Sequence, residues 1–245
     1  MSVNAPITLS NVTLTHGRHP AVHHVSGVFA PGSLTAIAGP NGAGKSTLLR
    51  AIAGLHKVQE GCLHAPRGAM ALLPQAAAMD RQFPVSCLDV VQLGHWPRAG
   101  AFRALRPAER HQSEAALATV GLDGFGRRPV GSLSAGQFQR VLFARLLVQD
   151  APVILLDEPF NAVDARTATD LLALVRRWHG EGRTVLAVLH DLDLIRAEFP
   201  ETLLLAREPV GWGPTAEVLS AANRLRARMM SEAWDEAAPA CDRAA

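Results

Sequence analysis

The sequence predicts an α/β fold: a mixed sheet flanked by helices, with an N-terminal antiparallel β subdomain and an inserted α-helical subdomain. Three observations carry this. Leu34–Ala38, Val153–Leu156 and Thr184–Leu189 are short apolar runs of the kind that forms strands buried on both faces. Between the last two, Leu171, Leu174, Val175 and Trp178 fall at the i, i+3, i+4, i+7 spacing of an amphipathic helix, so strand, helix and strand follow as a βαβ unit. From about Ala76 to Gly131 the strand pattern disappears, and helical segments stand at Ser86–Leu93 and Pro107–Val120 around a Gly/Pro/Arg-rich connector.

The elements follow in order. Ile7, Leu9, Val12 and Leu14 open an apolar–polar alternation read as two or three antiparallel strands through about Ala30, with a turn at Pro31-Gly32. Leu34–Ala38 runs into the glycine-rich segment GPNGAGKST. A helix follows, with Leu48, Leu49 and Ile52 on its buried side, and stops at Gly54. Ala69–Leu73 is a further strand. After the helical insertion, a helix from about Ala135 to Val148 returns the chain to the core, and Asp164 caps the helix after Val153–Leu156. The expected division is one domain over residues 1–230, with a core at about 1–75 and 150–230 and a helical subdomain at about 76–149. Residues 231–245 are expected to be a disordered tail.

Composition excludes several classes. Hydrophobic residues make up 48% of the 245-residue chain and charged ones 19%, which is incompatible with disorder as the main state. A net charge of +2, from 24 basic and 22 acidic residues, gives no electrostatic case for a nucleic-acid partner. No apolar run approaches the roughly 18 residues needed to span a bilayer, and MSVNAPITLS lacks the basic start and apolar stretch of a secretory signal. Cys62, Cys87 and Cys241 lie far apart with no Cys-x-x-Cys pair, which fits a reducing compartment.

Gly39-Pro40-Asn41-Gly42-Ala43-Gly44-Lys45-Ser46 matches G-x-x-x-x-G-K-S/T between an apolar strand and a helix. Glycines there let backbone N–H groups turn inward around phosphate oxygens, and the helix start adds partial positive charge. Lys45 reaches the β- and γ-phosphates, and the Ser46 hydroxyl is a Mg²⁺ ligand. Only two of the 24 basic residues are Lys, Lys45 and Lys57, so the Lys in this motif is not a product of composition. The bland alternative is a plain glycine turn. Val153-Ile154-Leu155-Leu156 then delivers Asp157 and Glu158 at a strand's C-terminal end, the edge where open α/β sheets bind ligands. Asp157 is placed near the Mg²⁺ shell, and Glu158 orients or deprotonates the attacking water. The alternative is a helix N-cap beside a surface acid.

With those elements in hand, Leu133-Ser134-Ala135-Gly136-Gln137 resembles the LSGGQ signature, in order between the phosphate loop and the Asp-Glu pair. The chain thus resembles the ATP-binding subunit of an ABC transporter over residues 6–230, which implies a P-loop NTPase core. The resemblance implies that Gln75, after Leu73-Pro74, is the Q-loop residue that touches Mg²⁺ and the transmembrane partner. Asn161-Ala162-Val163-Asp164 resembles the D-loop, and His190 resembles the switch histidine on the γ-phosphate. Gly39 to Ser46, Thr47, Ser134, Gly136, Gln137 and Asp164 are the implied ATP contacts; Glu158, His190 and Gln75 are the catalytic set; Ser46, Gln75 and Asp157 hold Mg²⁺.

Two departures stand out. Ala135 replaces a signature glycine. There is no Tyr anywhere in the chain, and His16 occupies the place of the adenine-stacking aromatic. Either His16 stacks there, more weakly than Tyr, or it is a surface residue and aliphatic contacts hold the adenine.

The resemblance also implies partners. In this family the signature faces the phosphate loop of a second subunit, so a head-to-tail homodimer with two ATP molecules is expected. A separate transmembrane permease, a periplasmic or extracytoplasmic metal-binding protein and a peripheral place on the cytoplasmic face of the inner membrane are implied as well. Phe83-Pro84-Val85-Ser86-Cys87-Leu88-Asp89-Val90-Val91, Pro159-Phe160-Asn161-Ala162-Val163-Asp164 and the connector Ala101-Phe102-Arg103 with Arg106-Pro107 resemble the manganese, zinc and iron importer branch. Leu93-Gly94-His95-Trp96-Pro97 also resembles the iron-chelate and haem branch, which stays open as a second substrate class. DNA-repair relatives carry long insertions and translation-associated ones two cassettes, unlike this chain. His16, His19, His23 and His24 either share a metal or are alternating polar residues on exposed strands.

Overall fold

The computed structural model describes residues 5–16, 19–66, 68, 70–75, 80–100 and 103–232. Its elements in chain order are β1 (Ile7–His16), β2 (His19–Phe29), β3 (Leu34–Ala38), α1 (Lys45–Ile52), β4 (Glu60–His64), β5 (Met70–Leu73), α2 (Cys87–Gln92), α3 (Trp96–Ala99), α4 (Pro107–Thr119), α5 (Ala135–Gln149), β6 (Val153–Asp157), α6 (Ala165–Gly180), β7 (Thr184–Val188), α7 (Leu192–Glu198), β8 (Glu201–Ala206), β9 (Glu208–Pro214), α8 (Thr215–Val218) and α9 (Ala221–Glu232). The chain divides into two compact units, Met1–Arg67 with Thr184–Ala245, and Gly68–Arg183.

The first unit holds two sheets. In one, β1 lies between β2 and β4, antiparallel to both, as the alternation of Ile7, Leu9, Val12 and Leu14 requires, since all four are buried. In the other, β3 runs parallel to both β7 and β8, with Ile37 opposite Val188 and Leu203, and β9 closes the edge antiparallel to β8. Every residue of β3 and β7 is buried, which explains why they are apolar apart from Thr35 and Thr184. Trp212 of β9 packs against Phe29 with ring centroids 4.5 Å apart. A Cβ at Gly27 would sit 2.3 Å from the Trp212 ring, so only glycine lets strand and indole approach this closely.

The second unit pairs β5 parallel with β6, Met70 opposite Val153 and Leu73 opposite Leu156. Around them lie α2, α4, α5 and α6. Ser86 and Asp89 close α2 with a capping box, and Asp164 caps α6 as expected. Phe143 of α5 stacks on the buried Trp178 of α6, with centroids 5.8 Å apart. Arg145 and Gln149, one turn apart on α5, donate to the Leu72 and Met70 carbonyls at 2.6 and 2.9 Å, fastening that helix along β5. Burial pushes the Arg145 guanidinium below its ordinary range.

Two expectations change. The segment 231–245 is not all tail, because Ser231 and Glu232 continue α9; residues 233–245 lie outside the described residues, Cys241 among them. His23 is buried at 7% exposure rather than on an open strand face. His24 takes a left-handed φ of 48° and breaks the alternation, while its Nδ1 hydrogen-bonds Asn11 Oδ1 at 2.8 Å. Gly17 and the side chains of His16 and His19 are outside the described residues, so the expected adenine stack and half of the histidine group lie there.

Candidate active site

The phosphate loop is built where β3 ends. Gly44, at φ 86°, turns the chain into α1, and a Cβ on it would lie 2.2 Å from the Ala21 carbonyl oxygen. Gly39, at φ 148°, passes so near Leu205 that a Cβ would fall 1.9 Å from its carbonyl oxygen. Both positions therefore require glycine. No side chain caps α1, so its first-turn N–H groups carry the helix start's partial positive charge at the loop. Lys45 is 6% exposed and donates from Nζ to the Gly39 and Pro40 carbonyls at 2.9 and 2.8 Å, placing its ammonium on the loop's inner side. Ser46 and Thr47 follow on the first turn of α1. His190, just past β7, lines with Gly39, Pro40 and Leu189 a cavity of about 260 Å³, so the first unit brings the expected switch histidine beside the loop's start.

The second unit gathers the acids. Asp157 ends β6 and is 1% exposed. Glu158, next in the chain, has φ 52°, in the left-handed region that non-glycine residues seldom occupy. Its Oε2 accepts from Gln75 Nε2 at 2.6 Å and from Asn161 Nδ2 at 2.6 Å. Gln75 and Glu158, expected as catalytic from separate motifs, are thus in direct contact. Since Gln75 donates its nitrogen to Glu158, the other end of the same amide, Oε1, is the atom suited to a cation.

The signature residues start α5. Ser134 is the N-cap: its Oγ accepts from the Gln137 N–H at 3.2 Å, and Gln137 Oε1 accepts from the Ser134 N–H at 3.0 Å. Ser134 and Ala135 are exposed, so the Ala135 methyl meets no crowding from this chain. Gly136 lies against the D-loop, where a Cβ would be 3.7 Å from Asp164 Oδ2. Asp164 itself accepts from the Thr167 N–H at 2.9 Å and the Thr167 hydroxyl at 2.8 Å, and these bonds hold its carboxyl below the usual range.

The sequence reading missed three contacts. Asn161 is one member of a loop motif in the sequence, and nothing in a sequence shows that its amide reaches Glu158. Gln139 is buried at 2% exposure and donates to the Pro159 carbonyl at 2.8 Å. Arg81 donates to the Leu133 carbonyl and lies over the Phe138 ring.

Comparison with known proteins shows the family. The ABC transporter family model matches residues 22–161. The manganese transport system ATP-binding protein MntB of Bacillus subtilis is 37% identical over 225 residues, covering 89% of this chain and 90% of that protein. The zinc transport system ATP-binding protein TroB of Treponema pallidum is 39% identical over 208 residues, covering 81% and 77%. Among solved structures, a dimeric post-hydrolysis ATP-binding cassette with bound ADP and phosphate aligns with a TM-score of 0.77 at 26% identity, over 85% of this chain and 98% of that one.

Proposed function

The chain belongs to the ABC transporter family and is an ATPase, and from that premise we propose that it powers a bacterial importer of a transition metal ion, manganese or zinc. The observation that carries the cargo is the near full-length likeness to manganese and zinc transport ATP-binding proteins. No helix among the described residues is long and apolar enough to cross a membrane. In this proposal the pathway for the ion belongs to a separate permease. The helical segment 76–149 couples this chain to that permease at the cytoplasmic face of the inner membrane, and an extracytoplasmic metal-binding protein delivers the ion.

The proposed chemistry assigns each group one task. Backbone N–H groups of the loop from Gly39 to Thr47, Pro40 excepted, with the Lys45 ammonium, hold the ATP phosphates. Ser46, Gln75 and Asp157 offer a hydroxyl, an amide oxygen and a carboxylate, all hard oxygen donors that suit Mg²⁺, and a carboxylate as buried as Asp157 is best matched by a cation. Mg²⁺, when bound, offsets negative charge on the phosphates. Glu158 takes a proton from water as the water oxygen bonds to the γ-phosphorus. The bond from that phosphorus to the bridging oxygen breaks, and ADP leaves with the electron pair. His190 steadies the γ-phosphate. Ser134, Gly136 and Gln137 of one subunit present donors to the ATP held by the other, while Asp164 shapes that facing loop. The γ-phosphate therefore joins two subunits, and its hydrolysis releases them.

Metal accumulation in a strain lacking this chain tests the cargo. Cellular manganese or zinc is expected to fall when the supply is limiting, with iron unchanged, and to recover when the native chain is returned. Loss of iron alone would point to the chelate branch, and loss of none of the three would overturn metal import.

A further inference from the structure

A carboxylate that must accept a proton from one water molecule needs a fixed direction, and Glu158 is held in an unusual one. Its φ of 52° lies in the left-handed region, which favours glycine, and the residue that follows is a proline. Proline supplies no backbone N–H, so the turn after Glu158 has one donor fewer with which to fix itself. Within the turn, the Asn161 N–H reaches the Glu158 carbonyl at 3.3 Å. The firmer tie comes from outside the turn. Gln139 Nε2 donates to the Pro159 carbonyl at 2.8 Å, and the contact is buried. A carbonyl only accepts, so the Gln139 amide must present its nitrogen there.

The donor stands on α5, the helix that begins at Ser134. Its neighbour, Arg140, holds the far end of the same loop: Arg140 Nη2 donates to Thr167 Oγ1 at 3.0 Å, and Thr167 bonds Asp164. The loop from Glu158 to Asp164 is thus tied at both ends to consecutive residues of the signature helix. Only the Gln139 tie lies one residue from the catalytic carboxylate.

We propose that Gln139 is the positioning residue for Glu158, its side-chain amide holding the Pro159 carbonyl and thereby the left-handed turn that aims the carboxylate at the attacking water. Gln139 is buried, and its side-chain nitrogen is committed to the Pro159 carbonyl. Removing its donor leaves a buried carbonyl without its partner, and the turn relaxes toward ordinary backbone angles. The carboxylate then swings away from the line on which Gln75 and Asn161 hold it. The proposal rests on Glu158 being the base.

The test measures steady-state ATP hydrolysis by the full-length chain, alongside affinity for a slowly hydrolysed ATP analogue. Gln139→Met removes the donor at nearly constant volume, whereas Gln139→His returns a ring N–H to about the same reach. Misplacement of the base predicts a fall in kcat of about tenfold or more for Gln139→Met. KM and analogue affinity should stay within about twofold, and Gln139→His should recover most of the loss. Gln139→Leu removes the same donor and carries the test if Gln139→Met does not fold. An unchanged kcat, an equal loss in the Met and His variants, or a kcat loss matched by lost affinity would each overturn the proposal. Glu158→Gln in the same assay separates the two ideas: if it still turns over, the base assignment fails; if it is dead while Gln139→Met is normal, only the positioning role fails.

Discussion

Glu158→Gln is expected to bind MgATP normally and to hydrolyse it at least about a hundredfold more slowly, in line with the loss of a general base. The substitution changes little else. The native Oε2 accepts from Gln75 and Asn161 at 2.6 Å each, and an amide oxygen in the same place accepts both bonds. The turn at φ 52° and the Gln139 tie to Pro159 are untouched. What disappears is the capacity to take the proton from water. With the γ-phosphate retained, the subunits should stay joined, so the variant should elute as a dimer carrying two ATP molecules, and the native chain should separate as ADP accumulates. Phosphate release and size-exclusion chromatography with nucleotide quantification check both halves. Native turnover by the variant would remove Glu158 from the base role.

Lys45→Arg is expected to lower affinity for ATP by about tenfold to a hundredfold, the scale of one hydrogen bond to a charged group. The change keeps the charge, so the argument turns on shape. Nζ is 2.9 Å from the Gly39 oxygen and 2.8 Å from the Pro40 oxygen, and the side chain is 6% exposed. A compact ammonium fits between two carbonyls and still faces inward. A planar guanidinium is wider, spreads its donors in a fixed fork and cannot be placed there without moving the loop. Gly39 cannot yield, because Leu205 backs it closely. The composition agrees, since this chain uses Lys twice in 24 basic residues and one of the two stands here. Calorimetric titration with an ATP analogue should show the loss while circular dichroism stays native. Undiminished affinity would mean that Lys45 does not touch the phosphates.

Much of the fold was legible where burial is complete. β3, β6 and β7 are buried along their whole length, so their runs are apolar apart from Thr35, Asp157 and Thr184, and the sequence places each within a residue of its observed ends. The cap at Asp164 was legible for a local reason, since capping needs only the residue and the three that follow. β4 was not legible. Glu60–His64 is an edge strand, almost wholly exposed and paired only with β1, and such a strand needs no apolar pattern. β9 was hidden differently: Glu208–Pro214 holds two prolines and two glycines, and it forms because β8 offers it a free edge. Tertiary pairing makes both strands.

The candidate site divides along the same line. Motifs with fixed spacing named Lys45, Ser46, Asp157, Glu158 and Ser134, because phosphate and cation chemistry admit few residue types there. The contacts of Asn161 and Gln139 were invisible because each depends on how a turn folds after the strand ends. Gln139 lies 19 residues from Glu158 in sequence and one hydrogen bond from its neighbour Pro159 in space.

The arrangement of two subunits is tested most directly by mixing two inactive chains. At an ATP concentration that fills the native loop only, Lys45→Arg leaves the phosphate loop empty, and Ser134→Arg puts a long cation in place of the exposed serine that starts α5. If each ATP is held by the loop of one subunit and the signature of the other, a mixed pair contains one site with both defects and one with neither. Equal amounts of the two chains should then regain ATP hydrolysis that neither shows alone. A mixture no more active than the sum of its parts would mean that loop and signature serve the same ATP within one chain, and the account of a shared interface would fail.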